Sequence, residues 1–486
     1  MTTYYVDYTD GNDADPGSEA EPWQTVNKAA TTAVAGDIVI YEDDTYPVGA
    51  GQTTWNSGNA GSYITHMARN SRQVIWKRSA NGRVVGLATD DDYLWFEGIV
   101  FDGDETSGGW TGSWCVHLDG SDYIRFIDCE TQDTETWCFY LTGGTTNIVF
   151  DGCEIHMDHW IADPTGVDGI LAHGAGIANI TVKNCTFYSI DHVACYFNSG
   201  TNTVVKDNTI YNTGSHGVQF GSPGAGNGWG LDGKITGNVI HDTKNFGTTS
   251  GDKCGIYITG GDVDAVVIQR NTIFDTDWHC IQVGANVVGP IDVYNNTMRN
   301  WNKTASATGA AIQLNDGSAG IAVACKNNCA AAVESSGVVF RVSGADMNAG
   351  LDADYNTWHS ESGATDDFYR NGTAYGTFAA YQAAPFEANS RDDDPDFADV
   401  SSDDFTLEAT SPCIDDGVYE SPVDYYFGSA PDMGAHEYTG DLGAETIQVI
   451  IWRSNGTGDG DDGDLMAKAT VGAVTRVTTL SDYSAL

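Results

Sequence analysis

VKNCTF (182–187), VKDNTI (205–210), ITGNVI (235–240), IQRNTI (268–273) and VYNNTM (293–298) align without a gap, and FIDCET (126–131) and FDGCEI (150–155) extend the series upstream. One position then reads Cys129, Cys153, Cys185, Asn208, Asn238, Asn271 and Asn296, at spacings of 24, 32, 23, 30, 33 and 25 residues. Asp104 in FDGDET would begin this column, and Asn327 or Asn328 would continue it. A second column keeps the same rhythm: CVHLDG (115–120), CFYLTG (138–143), GILAHG (169–174), ACYFNSG (194–200), GVQFG (217–221), GIYITG (255–260), CIQVG (280–284) and AIQLNDG (311–317). Each is a short alternating strand followed by a residue type that tolerates a tight turn. Nothing between them has the length and pattern of the amphipathic helix that a βαβ unit needs.

A chain of short strands with this period solves its burial problem by coiling, each turn stacked on the last at ~4.8 Å. Val116, Phe139, Ile170, Val218, Ile256, Ile281 and Ile312 then form one inward stack, and Ile155, Phe187, Ile210, Ile240, Ile273 and Met298 another. Stacked Asn side chains at the bend can bond one another and the backbone, and Cys suits the same slot as a small buried residue. Spacings of 23–25 mark plain coils, and 30–33 mark coils carrying a loop. The fold class expected is all-β, a single-stranded right-handed parallel β-helix with a short N-terminal capping helix and a C-terminal β extension. The hand follows from crossover sterics, which favour the right.

Both ends of such a coil need covering. PWQTVNKAATTAVAGDIVIYEDDTY offers a helix at about 24–34, ended by Gly36, with Trp23, Val26 and Ala30 on one face. The opening YYVDYTDGNDADPGSEAEPWQTVNKAATTAVAGDIVIYEDDTYPV resembles the start of the pectate-lyase-like right-handed parallel β-helix proteins. SPCIDDGV (411–418) with PDMGAHEY (431–438) resembles the closing segment of one branch of that superfamily. The resemblance spans about residues 3–438 and implies the fold. It does not choose among lyases, glycoside hydrolases, epimerases, phage tailspikes and non-enzymatic surface proteins. The expected organisation is a cap over 1–50, coils over 51–345, last coils and closing segment over 346–438, and a docking or oligomerising tail over 439–486. In that tail TIQVIIWR (446–453) and a stretch ending VTRVTTL (474–480) read as strands, too few to hold a core alone.

Composition bounds the function. The 486 residues carry 22 Lys and Arg against 68 Asp and Glu, a formal charge of −46. No basic face for nucleic acid is available from such a balance. No run reaches the ~18 apolar residues of a membrane span, and with 41% hydrophobic residues the chain is not disordered. The acidity serves solubility or binds calcium (Ca2+), for which Asp459, Asp461, Asp462 and Asp464 are the densest group, although they lack the spacing and closing Glu of an EF-hand loop. MTTYYVDYTDG has neither a positive nor an apolar signal region. The eleven Cys match neither a zinc site nor a compact disulfide framework.

The outward residues of the second column are His117, Tyr140, Leu171, Tyr196, Gln219, Tyr257, Gln282 and Gln313. The turns before them supply Trp114, Trp137, Asp168, His192, His216, Lys253, Trp278 and His279. Rings that stack on pyranose faces, beside amides and imidazoles that read hydroxyls, suit a long sugar chain. The substrate-binding set is therefore Trp114, His117, Trp137, Tyr140, Tyr196, Gln219, Tyr257, Trp278 and Gln282. Gln132, His156, Tyr188, Tyr211, His241, Phe274 and Arg299, outward in the first column, form the rival face. Acid–base work falls to Asp168, Asp191, His216 and Lys253, with Asp252, Asp277, His192 and His279 close by. A hydrolase would use two of the Asp; a lyase would use Lys253 or His216 as base, with calcium or a cation neutralising the uronate. HMDHWIADPTGVDG (156–169) would wall the cleft. The partner expected is polysaccharide. The setting expected is virion or extracellular, as a tailspike or capsid-attached homotrimer contacting other virion proteins, with a secreted lyase or hydrolase and a purely structural decoration protein as alternatives.

Overall fold

A computed structural model describes residues 1–49, 51–103, 114–134, 136–157, 166–222, 228–244, 253–260, 263–303, 309–315, 321–333, 337–343, 349–360, 367–384, 386–420, 426–440, 448–453, 465–471 and 474–479. Asp104, Asp252, positions 158–165 of the expected cleft wall and the DGDDGD run lie outside these residues.

Three long sheets run side by side along the coil. The first has 13 parallel strands, from Thr3–Val6 to Leu351–Asp354, and the second has 12, from Thr45–Pro47 to Thr357–Ser360. The third has 12: eleven parallel strands from Val85–Leu87 to Asp367–Arg370, and Thr373–Tyr375 antiparallel at its end. Each strand pairs with the strand one coil later, so the chain winds through first, second and third sheet in turn. Strands within residues 3–47 already belong to these sheets.

The two inward stacks hold. Val116, Phe139, Ile170, Val218, Ile256, Ile281 and Ile312 follow one another in register, with Cys195 in the slot between Ile170 and Val218. All are fully buried, as are Ile155, Phe187, Ile210, Ile240, Ile273 and Met298. At the N-terminal end, a helix at Val26–Thr32 is capped by the Thr25 hydroxyl, which accepts from the Lys28 N–H. It ends at Thr32 rather than at Gly36, and Val26, Ala29 and Ala30 join the same apolar cluster as the coil interior.

The bend between first and second sheets carries the asparagine file. Nδ2 of Asn208, Asn238, Asn271, Asn296 and Asn328 donates to Oδ1 of the next member at 2.9–3.0 Å, the last acceptor being Asn356. Each Oδ1 also receives the backbone N–H of the previous member, and each Nδ2 also reaches a strand carbonyl, as Asn238 reaches Val205 at 2.9 Å. In the earlier coils a thiol takes the donor role, Cys153 to the Phe126 carbonyl at 3.3 Å. The residue before each member is left-handed: Asp128, Asn184, Asp207, Asn295 and Asn327 have φ between 50° and 58°, and Gly152 and Gly237 stand at 69° and 68°. Asp, Asn and Gly are the residues that occupy this region at least cost. Arg270, at φ 55°, and Tyr355, at φ 57°, are exceptions, and the Arg270 guanidinium meets the buried Glu437 side chain of the closing segment at 3.2 Å.

All eleven cysteines are buried free thiols. Contacts divide the chain into two units, Met1–Glu437 and Tyr438–Leu486. Within the second, Gln448–Arg453, Leu465–Val471 and Val474–Thr479 form a three-stranded antiparallel sheet. Among the described residues no helix is long and apolar enough to cross a membrane.

Candidate functional site

The outward row of the third sheet is continuous. His117, Tyr140, Leu171, Tyr196, Gln219, Tyr257, Gln282 and Gln313 lie on successive strands, and the row runs on to Arg341 and Tyr369. Although these side chains point away from the core, Gln219, Gln282 and Gln313 are only 3–4% exposed. Neighbours in the row pack over them. The Tyr196 hydroxyl, for example, bonds Ser222, Asn198 and Gln219.

The titratable groups gather at the edge where these strands begin. Trp114, Trp137 and Asp168 open their strands in mutual register, rather than lying in the preceding turn as expected. His216, Lys253 and Trp278 do precede theirs, and His279 opens its own. Asp168, His216 and His279 share one structural task. Asp168 Oδ1 accepts the Val193 N–H at 3.1 Å, His216 Nδ1 the Cys254 N–H at 3.1 Å, and His279 Nδ1 the Ala310 N–H at 2.9 Å.

That task fixes the chemistry of two imidazoles. With Nδ1 held as an acceptor, His216 and His279 carry their proton on Nε2. Burial lowers His216 well below the ordinary range, aided by the charges of His192, Lys253 and His279. Burial likewise takes His279 down to about 3. Both are neutral donors, so His216, expected as a possible base, cannot accept a proton at Nδ1 without giving up its bond to the chain.

His192 is placed differently. Its Nδ1 lies 2.8 Å from Asp168 Oδ1, and its side chain is 34% exposed against 5% for Asp168. Burial opposes its charge, but the bond to Asp168 and the charges of Asp168 and Asp191 outweigh that and raise it. Asp168 Oδ1 thus receives two donors, the Val193 N–H and the His192 ring, and fixes the orientation of the imidazole. Lys253 is 4% exposed and near enough to depress both His192 and His216. Asp191 directly precedes His192 in the chain. The structure thus brings together all four expected acid–base residues with His192, named beside them from the sequence, and adds the bond from His192 to Asp168.

The expected sugar-binding residues form two groups. Upstream, Trp137 stacks on Tyr140 (4.5 Å between centroids) and on Trp114 (5.9 Å), and His117 stacks on Tyr140 at 5.1 Å. Arg83 lies over Trp114 at 5.2 Å and bonds His117 Nδ1 at 2.5 Å. Downstream, Tyr196 meets His192 edge-on at 6.2 Å, Tyr257 sits tilted against His216 at 4.8 Å, and Trp278 stacks on His279 at 5.0 Å.

The rival face is built to a different plan. His156, Tyr188, Tyr211, His241 and Phe274 stack face to face at 4.5–5.5 Å with interplanar angles of 6–11°. Each inner ring spends both faces on its neighbours and offers only an edge outward. A pyranose needs an open ring face, so this column is a structural stack. Among the described residues no group of three His, Cys, Asp or Glu is arranged to hold a metal ion.

Residues 114–298 match the family model described as a right-handed β-helix region. Over 207 residues the chain is 29% identical to a lacto-N-biosidase of Bifidobacterium longum subsp. longum, an alignment covering 39% of this chain and 12% of that enzyme. Pectate lyase Pel9A superposes with a TM-score of 0.54 at 16% identity, covering 90% of this chain and 96% of that one. The A-module of the Azotobacter vinelandii mannuronan C-5 epimerase AlgE6 superposes at 0.51 and 14% identity, covering 74% and 90%. The fold is a right-handed parallel β-helix, as in both of those structures.

Proposed function

We propose that this pectate-lyase-like β-helix binds a polysaccharide along the outer face of its third sheet and processes it at the Asp168–His192–Lys253 edge. The observation that carries the reading is the juxtaposition of the two: a row ten strands long, ring or amide side chains at all positions but Leu171 and Arg341, flanked by a half-buried imidazole oriented by a buried carboxylate. Coil spacing of ~4.8 Å is close to the length of one sugar unit, so a regular column meets a regular polymer. In this scheme His192 exchanges the proton, Asp168 holds its tautomer, and Lys253 supplies positive charge where negative charge develops. Neutral His216 and His279 donate hydrogen bonds through Nε2.

Proton abstraction from the sugar ring suits this set better than hydrolysis by paired carboxylates. Asp168 is occupied and 5% exposed, which leaves Asp191 and Asp277 to serve as the two acids a hydrolase needs. The test is an incubation with a panel of polysaccharides, following ultraviolet absorbance of an unsaturated product and, separately, new reducing ends. Lyase action gives both signals, and hydrolysis gives only the second. His192→Ala and Lys253→Ala should lower turnover by about 10²-fold or more while binding is kept, because acid–base groups act mainly in the transition state. Unchanged turnover in both variants would sink the assignment. The virion setting and the homotrimer are parts of the same proposal, and mass photometry of the full chain tests the second.

A further inference from the structure

Over the three coils that follow Lys253, the row opens into a shallow cavity of about 190 Å³ lined by Trp278, His279, Gln282, Gln313, Asn315 and Arg341. Its floor is Gln313, 3% exposed. The Gln313 amide nitrogen donates to Asn315 Oδ1 at 2.7 Å and to Ser343 Oγ at 3.3 Å, which aims Oε1 the other way. That oxygen is buried and has no hydrogen-bond partner among the described residues. A buried acceptor without a donor costs the fold free energy, so its retention marks a place where a ligand hydroxyl supplies the donor.

Arg341 stands beside it. The guanidinium lies over the Tyr369 ring at 4.2 Å, which holds it in the outward row. Among the described residues no carboxylate pairs with Arg341, in a chain with 68 acids for 22 Lys and Arg. Arg69, Arg72, Arg270 and Arg391 all meet carboxylates. The third-sheet row itself contains no Asp or Glu from His117 through Tyr369. An overall charge of −46 repels polyanions, so a cation kept free inside an acid-free strip is an arrangement for admitting one locally.

We infer that this cavity is an anion-recognising sugar subsite: Arg341 binds a carboxylate or sulfate on a sugar unit, and Gln313 Oε1 accepts a hydroxyl of the same unit. The polymer handled is accordingly an acidic glycan, its charged unit seated about four to five sugars from His192, one per coil along the row. This rests on the proposed glycan face. The guanidinium fork meets a carboxylate or sulfate through paired N–H donors, and the neutral His279 Nε2–H and the indole of Trp278 line the wall.

The test compares binding by the full chain and by Arg341→Gln, Arg341→Lys and Gln313→Leu, using calorimetry on oligogalacturonate, its methyl ester, a sulfated galactan oligomer and a neutral galactan oligomer. The subsite predicts tighter binding of an acidic oligomer than of its neutral counterpart, weakened about tenfold by Arg341→Gln and partly restored by Arg341→Lys. Preference for the galacturonate or for the sulfated oligomer identifies which anion is read. Gln313→Leu should weaken all oligomers alike. Thermal unfolding of each variant, expected within a degree or two of the parent, checks folding; if Arg341→Gln misfolds, methyl esterification of the ligand carries the same test. Equal binding of acidic and neutral oligomers, lost in Trp137→Ala/Tyr196→Ala but not in Arg341→Gln, would overturn the subsite and leave the glycan face standing. Binding of none of the four oligomers overturns both.

Discussion

Replacing Asn238 by Leu tests the asparagine file where it is most regular. The side chain makes four hydrogen bonds: Oδ1 accepts from Asn208 N–H at 3.1 Å and Asn208 Nδ2 at 2.9 Å, and Nδ2 donates to the Val205 carbonyl and to Asn271 Oδ1, both at 2.9 Å. These losses are unequal. Asn208 Nδ2 keeps the Val182 carbonyl at 3.0 Å, and Asn271 Oδ1 keeps the Asn238 backbone N–H at 3.1 Å. The Asn208 backbone N–H loses its side-chain acceptor at a residue only 1% exposed. One orphaned buried donor costs ~1–3 kcal/mol and each remaining bond ~1 kcal/mol. Leu adds some apolar burial in return, so the net loss should be about 2–4 kcal/mol. Asn238→Cys should cost less, about 1–2 kcal/mol, since a thiol can donate to Val205 as Cys153 does to Phe126. Stacked coils can unfold in stages, so urea titration is best joined to amide exchange at Asn208, where opening should become selectively easier. A Leu variant within ~0.5 kcal/mol of the parent, or as stable as the Cys variant, would refute the account.

Other expected outcomes are equally concrete. Trp137→Ala with Tyr196→Ala should weaken glycan binding about 30-fold, at ~1 kcal/mol per ring, and a glycan array showing the parent's pattern would contradict it. Glu437, 1% exposed at its side chain, is raised by burial and by Asp432 from 4.5 to about 7 against the pull of Arg270. A carboxyl raised in the fold stabilises it when protonated. That contribution is complete below about pH 4.5 and disappears as pH rises through about 7, a change of at most roughly 3 kcal/mol. Denaturation between pH 5 and 8 should show it, and Glu437→Gln should flatten the profile; parallel profiles would rule it out. Deleting 440–486 should leave the coil folded and change the oligomeric state, which light scattering reads directly.

The coil was legible because its signal repeats. Cys129, Cys153, Cys185 and the four asparagines from Asn208 to Asn296 announce one bend seven times, and the inward residues two places along confirm the alternation. Asn356 escaped notice because Tyr355 stands before it where the earlier members have Asp, Asn, Gly or Arg, and the larger Trp358 fills the inward slot two places after it. Within the site, alternation gave the outward row but not its burial: period two says which way Gln219, Gln282 and Gln313 point, and not that neighbours cover them. The pairing of His192 with Asp168 lay further out of reach, for it depends on how far a turn of variable length carries the imidazole back toward the previous coil. Roles were hardest of all. His216 looks like a base until the Cys254 N–H is found on its Nδ1.

The asparagine file has a direction. Along the file one N–H of every side chain points to the next coil and every side-chain carbonyl back to the previous one, while the second N–H ties each amide to a strand carbonyl, so the chain of amide bonds is a polar filament inside an apolar tube. Its two ends therefore require opposite chemistry. The first oxygen, on Asn208, is met by a donor, the Cys185 N–H at 2.9 Å. The last N–H, on Asn356, is met by an acceptor, the buried carboxylate of Glu387 at 3.1 Å, itself held by the Trp358 indole at 2.6 Å and the Ser390 hydroxyl at 2.8 Å. Between these terminators each coil presents the same donor upward and the same acceptor downward. Whole coils can be gained or lost there without altering either end, whereas Glu387 cannot move without stranding the filament. Length in this molecule is a free variable, and the stop signal is a single glutamate.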